Sequence, residues 1–252
     1  MASSTTGNRW FTRQPISAYT DAAFTREARE LSSRTFLAHV RFASTGALSM
    51  ANTHPFEQQG RLFAHNGVLG GLARLEEHLG DDLALVEGDT DSERLFALIT
   101  REIAARDGDV RGGILAACGW VARELPVYAM NFVLITAGEM FALRYPATHE
   151  LHVLGRGAGG HRGRAPLLHR SSLGMRVHSA QAAERRLVVV ASEPMDDDPG
   201  WRELAAGELL HVSSALTLKR EIVLETPPAH PLTLADLDEH ARASQRPAGK
   251  AP

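Results

Sequence analysis

Apolar and polar residues alternate along much of this chain, and that alternation predicts β-strands. Residues 35–44 alternate between two faces, as in a strand with one buried side. Further strand-like runs lie at 127–136, 139–145, 151–154, 175–178, 187–191, 209–213 and 217–224. Because these runs follow one another in hairpin-like succession, without helices between them, they predict an α+β domain with antiparallel sheets.

Helical features are confined to four segments, at 21–33, 68–79, 90–106 and 114–125. The third begins with Thr90-Asp-Ser-Glu93, a capping-box pattern in which Thr90 caps the helix and Glu93 reaches back. A short strand at 61–65 is predicted to end at Asn66-Gly67, which is a common turn signal.

The predicted domain covers residues 15–225, between two less regular ends. Residues 1–14 are predicted to be irregular. Residues 226–252 are rich in Pro, Ala, Arg and His, and they are predicted to hold one short element and to be otherwise mostly disordered.

Composition narrows the function classes. The chain has 252 residues, 44% of them hydrophobic, and a net charge of -3, so it lacks the basic excess expected of a nucleic-acid-binding protein. No apolar run approaches the length needed to cross a membrane, and the first residues do not resemble a signal peptide. The single cysteine, Cys118, excludes an internal disulfide and favours a reducing, cytoplasmic location.

Four short motifs carry side chains with useful chemistry: His39-Val-Arg-Phe-Ala-Ser44, Asn52-Thr-His-Pro-Phe56, Ala64-His-Asn-Gly67 and Gly88-Asp-Thr-Asp-Ser-Glu93. Taken singly, each has an ordinary explanation, such as a surface arginine, a turn or a helix start. Their order and spacing together resemble the glutamine-binding core of class II glutamine amidotransferases, which are N-terminal-nucleophile (Ntn) hydrolases. The resemblance covers residues 9–224 and is nearest to the branch with the ergothioneine-pathway amidohydrolase and the glutathione-degrading amidotransferase.

The resemblance implies an αββα sandwich, with two antiparallel sheets between helical layers, and a role for each motif. Arg41 would hold the substrate α-carboxylate, because a guanidinium donates two parallel hydrogen bonds. Asp91 would receive the α-ammonium group. The Asn66 side chain and the Gly67 N–H would stabilise the oxyanion. Ser44 and His54 would line the pocket, and no metal or cofactor is implied.

The catalytic nucleophile of the resembled family is not found in this sequence. In that family an N-terminal cysteine attacks the amide and its own α-amino group acts as the base. This chain begins Met1-Ala2-Ser3-Ser4-Thr5, and a family motif expected before the matching region is also missing, which predicts loss of the first strands. Cys118 lies in an apolar helical context typical of a buried residue, and Ser3, Ser4, Thr5 or Thr6 would require processing to become N-terminal.

The family reaction is hydrolysis of glutamine or another γ-glutamyl amide, and the chain as written is predicted not to catalyse it. The favoured explanation is a chain truncated relative to an active enzyme. The second is a non-catalytic protein that binds a γ-glutamyl ligand or regulates a synthetase or amidotransferase partner subunit. The third is a degraded remnant without a stable fold.

Two other patterns in the sequence have simpler explanations. Gly155-Arg-Gly-Ala-Gly-Gly160 matches a dinucleotide-binding fingerprint, but no helix is predicted after it, so a flexible loop is the better interpretation. His39, His54 and His65 could be imagined with Asp91 as metal ligands, but their spacing matches no standard zinc pattern.

Overall fold

The computed structural model describes residues 2–5, 8–11, 35–39, 49–161, 163, 165–170 and 176–245. The helix predicted at 21–33 and most of the strand predicted at 35–44 lie outside these ranges. None of the helices in the described part of the chain is long and apolar enough to cross a membrane.

The described residues form strands β1 (Ala2–Thr5), β2 (Asn8–Phe11), β3 (Thr35–Leu37), β4 (Phe56–Gln58), β5 (Arg61–Leu69), β6 (Pro126–Ile135), β7 (Met140–Arg144), β8 (His152–Arg156), β9 (Leu167–Arg170), β10 (Arg176–Ser179), β11 (Leu187–Ala191), β12 (Arg202–Glu203), β13 (Glu208–Val212), β14 (Leu218–Ile222) and β15 (His230–Pro231). The α-helices are α1 (Leu72–Leu79), α2 (Asp91–Ala104), α3 (Val110–Glu124) and α4 (Glu239–Gln245). Short 3-10 helices lie at Gly80–Leu85, Ala180–Ala183 and Leu234–Asp236.

The central sheet has seven strands in the order β14-β13-β7-β6-β5-β4, with β15 added beside β6. All of its pairings are antiparallel except the two-residue pairing of β15 with β6. Three smaller sheets are ordered β2-β1-β3, β10-β9 and β11-β8-β12. The α+β class with antiparallel sheets, predicted from the alternation of residue types, is therefore confirmed.

Helices α1, α2 and α3 cover one face of the central sheet and enclose the largest core. In α2, residues such as Leu95, Phe96 and Ile99 recur at helical spacing and are fully buried. Phe96 stacks on Phe63 of β5, with ring centroids 4.8 Å apart. This packing fixes the N-terminus of α2 beside β5.

Smaller sheets cover the opposite face of the central sheet. The β8 side chain of Val153 packs with Ala142 and Leu210 of the central sheet. Leu37 of β3 packs with Leu62 and Ala64 of β5. The result is sheet stacked on sheet, with helices on the outside of the larger one.

Both chain ends differ from the prediction. Strands β1 and β2 lie within residues 1–14, which were predicted to be irregular, because Ala2 to Ser4 pair with β3. The end of the chain is also more ordered than predicted: β15, a 3-10 helix and α4 lie within 226–245. Leu237, which lies just before α4, and Ala241 within α4 are both buried there. The boundaries of the 15–225 domain stay a prediction.

Candidate functional site

Strand β5 continues through Asn66-Gly67, so the predicted turn at this dipeptide is wrong. Asn66 pairs with Asn131 of β6, and Gly67 pairs with Met130. The register shifts only later, between Val68 and Leu69. Pairing along β6 therefore overrides the local turn preference, and the helix predicted from residue 68 begins at Leu72 instead.

The two residues of the Asn-Gly pair point to different sides of the sheet. Because side chains alternate along a strand, Asn66 shares a face with Leu62 and Ala64. Their side chains pack against Leu37 of the β2-β1-β3 sheet. The Asn66 side chain is exposed, although Ala64 and His65 before it are buried. An exposed amide between buried neighbours is available to a ligand.

Gly67 lies where β5 and β6 come very close together. A Cβ at this position would be 2.5 Å from the Ala129 carbonyl carbon, 2.7 Å from His65 Nε2, and closer still to the Ala129 carbonyl oxygen. No side chain fits there without moving one of the two strands. The glycine is therefore required by close backbone approach, and not by a turn.

Asp91 joins the N-terminus of α2 to the end of β5. One carboxylate oxygen, Oδ2, accepts a hydrogen bond from Leu69 N at 2.8 Å. The other, Oδ1, accepts from Ser92 N, also at 2.8 Å. The partial positive charge of the helix N-terminus further favours a carboxylate here. Asp91 is only partly buried, so its oxygens can still accept from a cationic ligand.

The predicted capping box is half confirmed. Thr90 caps α2, since its Oγ1 accepts from Glu93 N at 3.2 Å. The Glu93 carboxylate does not return to Thr90; it accepts from Glu87 N at 3.1 Å and from Gly88 N at 2.7 Å. Glu93 is buried and thus fixes the loop that precedes Asp91.

His54 lies in the loop that precedes β4. Its buried ring contacts the rings of His39 and Phe56, with centroids 4.2 and 4.6 Å away. Asn52, two residues earlier, accepts from Asp89 N at 2.8 Å and so ties this loop to the segment before α2. His54 is placed near the candidate site by this link, without a described contact to Asn66, Gly67 or Asp91.

His65 is a buried polar residue that lies between β5, α2 and β6. In the sequence, the only role considered for it is that of a metal ligand. Its Nδ1 lies 2.9 Å from Ser92 Oγ, and its Nε2 lies 3.4 Å from the Ala129 carbonyl oxygen. A carbonyl only accepts, so Nε2 carries the proton. Burial lowers the pKa of His65 and so favours the neutral ring, in which Nδ1 accepts from the nearer Ser92 hydroxyl. This neutral imidazole holds α2 against the strand that carries Asn66 and Gly67.

Asn131 is a second buried polar residue beside the site. Its Oδ1 accepts from Tyr145 N at 2.9 Å, and its Nδ2 donates to the His149 carbonyl oxygen at 3.2 Å. Because Asn131 pairs directly with Asn66, it fixes the segment 145–149 beside that residue. The only signal for it in the sequence is the family-like run Asn131-Phe-Val-Leu134.

The structure thus brings three of the six predicted site residues to one end of β5: Asn66, Gly67 and Asp91. Arg41 and Ser44 lie outside the described residues. Their roles towards a ligand stay predictions. Within the described ranges, no group of three or more His, Cys, Asp or Glu side chains is arranged to hold a metal ion.

Cys118 lies in the core between α3 and the central sheet. It is fully buried, and burial raises the pKa of its thiol well above the ordinary value. Because the thiolate is the reactive form, Cys118 in this position is not a nucleophile for a ligand at Asn66.

We expect the state of His65 to make stability depend on pH. Burial lowers the pKa of its imidazole below the ordinary value, although nearby Asp91 opposes that effect. Below about pH 6.5 this histidine binds a proton in the unfolded chain but not in the folded protein. The free energy of unfolding should therefore fall as pH decreases. The contribution of His65 to this slope is at most about 1.4 kcal/mol per pH unit. Urea unfolding of wild type and His65→Gln at about pH 7.5 and about pH 5.5 tests this.

The His65→Gln protein should lose less stability on acidification than wild type. His78 and His149 also have lowered pKa values, so they should contribute to the dependence that remains. An identical loss in both proteins would show that His65 is protonated equally in the folded and unfolded states.

Comparison with known proteins shows which family the chain resembles. The family model for class II glutamine amidotransferases matches residues 6–231. The chain is 30% identical over 183 residues to the putative glutamine amidotransferase YafJ of Escherichia coli, covering 68% of this chain and 67% of that protein. It is 29% identical to the gamma-glutamyl-hercynylcysteine sulfoxide hydrolase of Mycolicibacterium smegmatis, covering 82% and 72%. It also spans half the length of an uncharacterised Methanocaldococcus jannaschii protein, with 29% identity and 72% of this chain covered.

The fold has a counterpart among solved structures. A glutamine aminotransferase class-II domain protein from Silicibacter pomeroyi superimposes with a TM-score of 0.63, covering 90% of this chain and 91% of that one at 22% identity. That likeness confirms the Ntn-hydrolase type of α+β fold. Together with the family match over most of its length, it identifies the chain as a member of the class II glutamine amidotransferase family.

Proposed function

We propose that the chain binds a γ-glutamyl compound at the end of β5. Asp91 receives the α-ammonium group, Arg41 holds the α-carboxylate, and Asn66 and Gly67 donate to the γ-carbonyl oxygen. The observation that carries the proposal is the 2.8 Å hydrogen bond from Leu69 N to Asp91, which ties the carboxylate to the strand of the other two residues.

Spacing along β5 supports this placement. Gly67 and Leu69 are two residues apart, which is about 7 Å in a strand. In a γ-glutamyl group, the α-nitrogen and the γ-carbonyl carbon are joined by four single bonds of about 1.5 Å each. One γ-glutamyl group therefore reaches from the Asp91 carboxylate, which is bonded to Leu69 N, to the donors at Asn66 and Gly67.

The names of the relatives support the ligand class. One acts on a γ-glutamyl-hercynylcysteine sulfoxide, and the other is a putative glutamine amidotransferase. Both names involve a γ-glutamyl amide, with different groups attached to the γ-carbonyl. We therefore assign the glutamyl part of the ligand to the site and leave the attached group open.

The 252-residue chain is proposed to bind this ligand without hydrolysing it, in a cytosolic location. Its one cysteine, Cys118, is buried in the core. A longer chain that begins with cysteine would use the same residues for the family reaction.

Mass spectrometry of the N-terminal peptide from source cells distinguishes the two forms, and a chain beginning at Met1 or Ala2 favours a binding or regulatory subunit.

Binding of L-glutamate, measured by calorimetry and by thermal shift, tests the proposal. At about 100 times Kd the ligand should stabilise the protein by about 2.7 kcal/mol, with no ammonia released when glutamine is supplied. Arg41→Ala should weaken binding. The matched control is Arg61→Ala, since that guanidinium bonds only to Gln59 on the surface in the described contacts. No binding of glutamate, glutamine or glutathione by wild type would refute the site.

A further inference from the structure

The C-terminal segment, residues 232–245, packs on the sheet face to which Asn66 belongs. Its buried residues Leu237 and Ala241 form one cluster with Tyr128 and Ala129 of β6, and Val68 packs against that cluster. Val68 follows Asn66 by two residues, so it shares the same face about 7 Å further along β5. The segment therefore lies directly beyond the candidate oxyanion residue.

Asn66 is exposed in a gap between two apolar clusters. On one side, Ala64 is buried with Leu37 of the smaller sheet. On the other side, Val68 is partly covered by the cluster that contains Leu237. The C-terminal segment thus belongs to one of the two apolar clusters that flank Asn66 along β5.

A second set of contacts links the segment to the residue that pairs with Asn66. Gln245, the last residue of α4, accepts at 2.6 Å from Nε2 of His149. The His149 ring meets the Tyr128 ring edge-on, with centroids 5.4 Å apart, and its carbonyl oxygen accepts from Asn131. A shift of α4 would therefore change the contacts of Asn131, which lies directly opposite Asn66.

The segment is held together by its own contacts. Thr233 and Asp236 form a capping box, and Arg242 donates to the carbonyl oxygens of Leu234, Ala235 and Leu237. It also begins just after residue 231, where the match to the family model ends. These contacts lie within the segment itself, and the segment packs on the part of the chain that matches the family model.

We propose that residues 232–245 form one wall of the γ-glutamyl site and that their docking is coupled to ligand binding. This rests on the proposed function, because it needs a ligand beside Asn66. A ligand that contacts the docked wall binds the docked state more tightly, so docking raises affinity and the ligand in turn stabilises docking.

The test compares Leu237→Asp with Leu234→Asp, two substitutions of the same type within one segment. Leu237 is buried in the cluster with Tyr128, whereas Leu234 is exposed. Leu237→Asp should undock the segment and weaken L-glutamate binding by about 5- to 150-fold, the usual range for coupled sites. Leu234→Asp should bind like wild type. Equal affinities in all three proteins would overturn the proposal.

Hydrogen exchange of wild type gives an independent result that needs no variant to fold. Adding L-glutamate should slow exchange in residues 232–245, because linkage is reciprocal. Unchanged exchange there, in a protein that binds glutamate, would refute the wall and leave the γ-glutamyl site standing. If wild type binds no glutamate, the proposed function fails first, so the two failures are distinguishable.

Discussion

Replacing Gly67 with alanine is expected to destabilise the protein by about 3 kcal/mol or more, at the upper end of the cost of overpacking. The new Cβ would lie 2.5 Å from the Ala129 carbonyl carbon and 2.7 Å from His65 Nε2, so β5 and β6 would have to separate. Separation would break the 3.4 Å contact between His65 and the Ala129 oxygen. Denaturant unfolding measures the loss, and calorimetry should show that glutamate binding is lost with it.

The matched control is Gly138→Ala, in the turn between β6 and β7. There the nearest atom to a new Cβ is Ser214 Cβ, at 3.8 Å, which is ordinary contact. This variant should stay within about 0.5 kcal/mol of wild type. If Gly67→Ala were equally harmless, the close approach of β5 and β6 would be wrong, and with it the reason for glycine in the candidate oxyanion position.

The features that could be predicted from sequence are those set by local pattern. Helix α2 is an example, because Thr90 marks its start and residues such as Leu95 and Ile99 recur on one face. The antiparallel sheets follow from the alternation and short spacing of strand-like runs. The order and spacing of the four motifs at 39–44, 52–56, 64–67 and 88–93 were sufficient to indicate the family.

The features that were missed depend on partners distant in sequence. Asn66-Gly67 has the composition of a turn, but pairing with Asn131 and Met130 extends the strand through it. The burial of Leu237 depends on Tyr128, more than one hundred residues earlier. His65 lies within the Ala64-His-Asn-Gly67 motif, but its role in joining α2 to the sheet follows only from its contacts with Ser92 and Ala129.

Replacing Asp91 with alanine should weaken L-glutamate binding by about 30-fold or more, the equivalent of about 2 kcal/mol. The substitution removes the only carboxylate that is bonded to the end of β5 in the described contacts. It also leaves Leu69 N and Ser92 N without their acceptors, which should reduce stability by about 1 to 3 kcal/mol. Calorimetry with glutamate measures the first effect and urea unfolding measures the second.

Two further variants separate the role of charge at Asp91 from that of its position. Asp89→Ala removes the same charge two residues earlier from an exposed side chain, so it should bind glutamate nearly as wild type does. Asp91→Asn keeps one side-chain oxygen as an acceptor and should retain most of the stability, but it should bind as weakly as Asp91→Ala because the ammonium group loses its counter-charge. If Asp91→Asn bound normally, Asp91 would serve only to join α2 to β5, and the ammonium group would have to be received elsewhere.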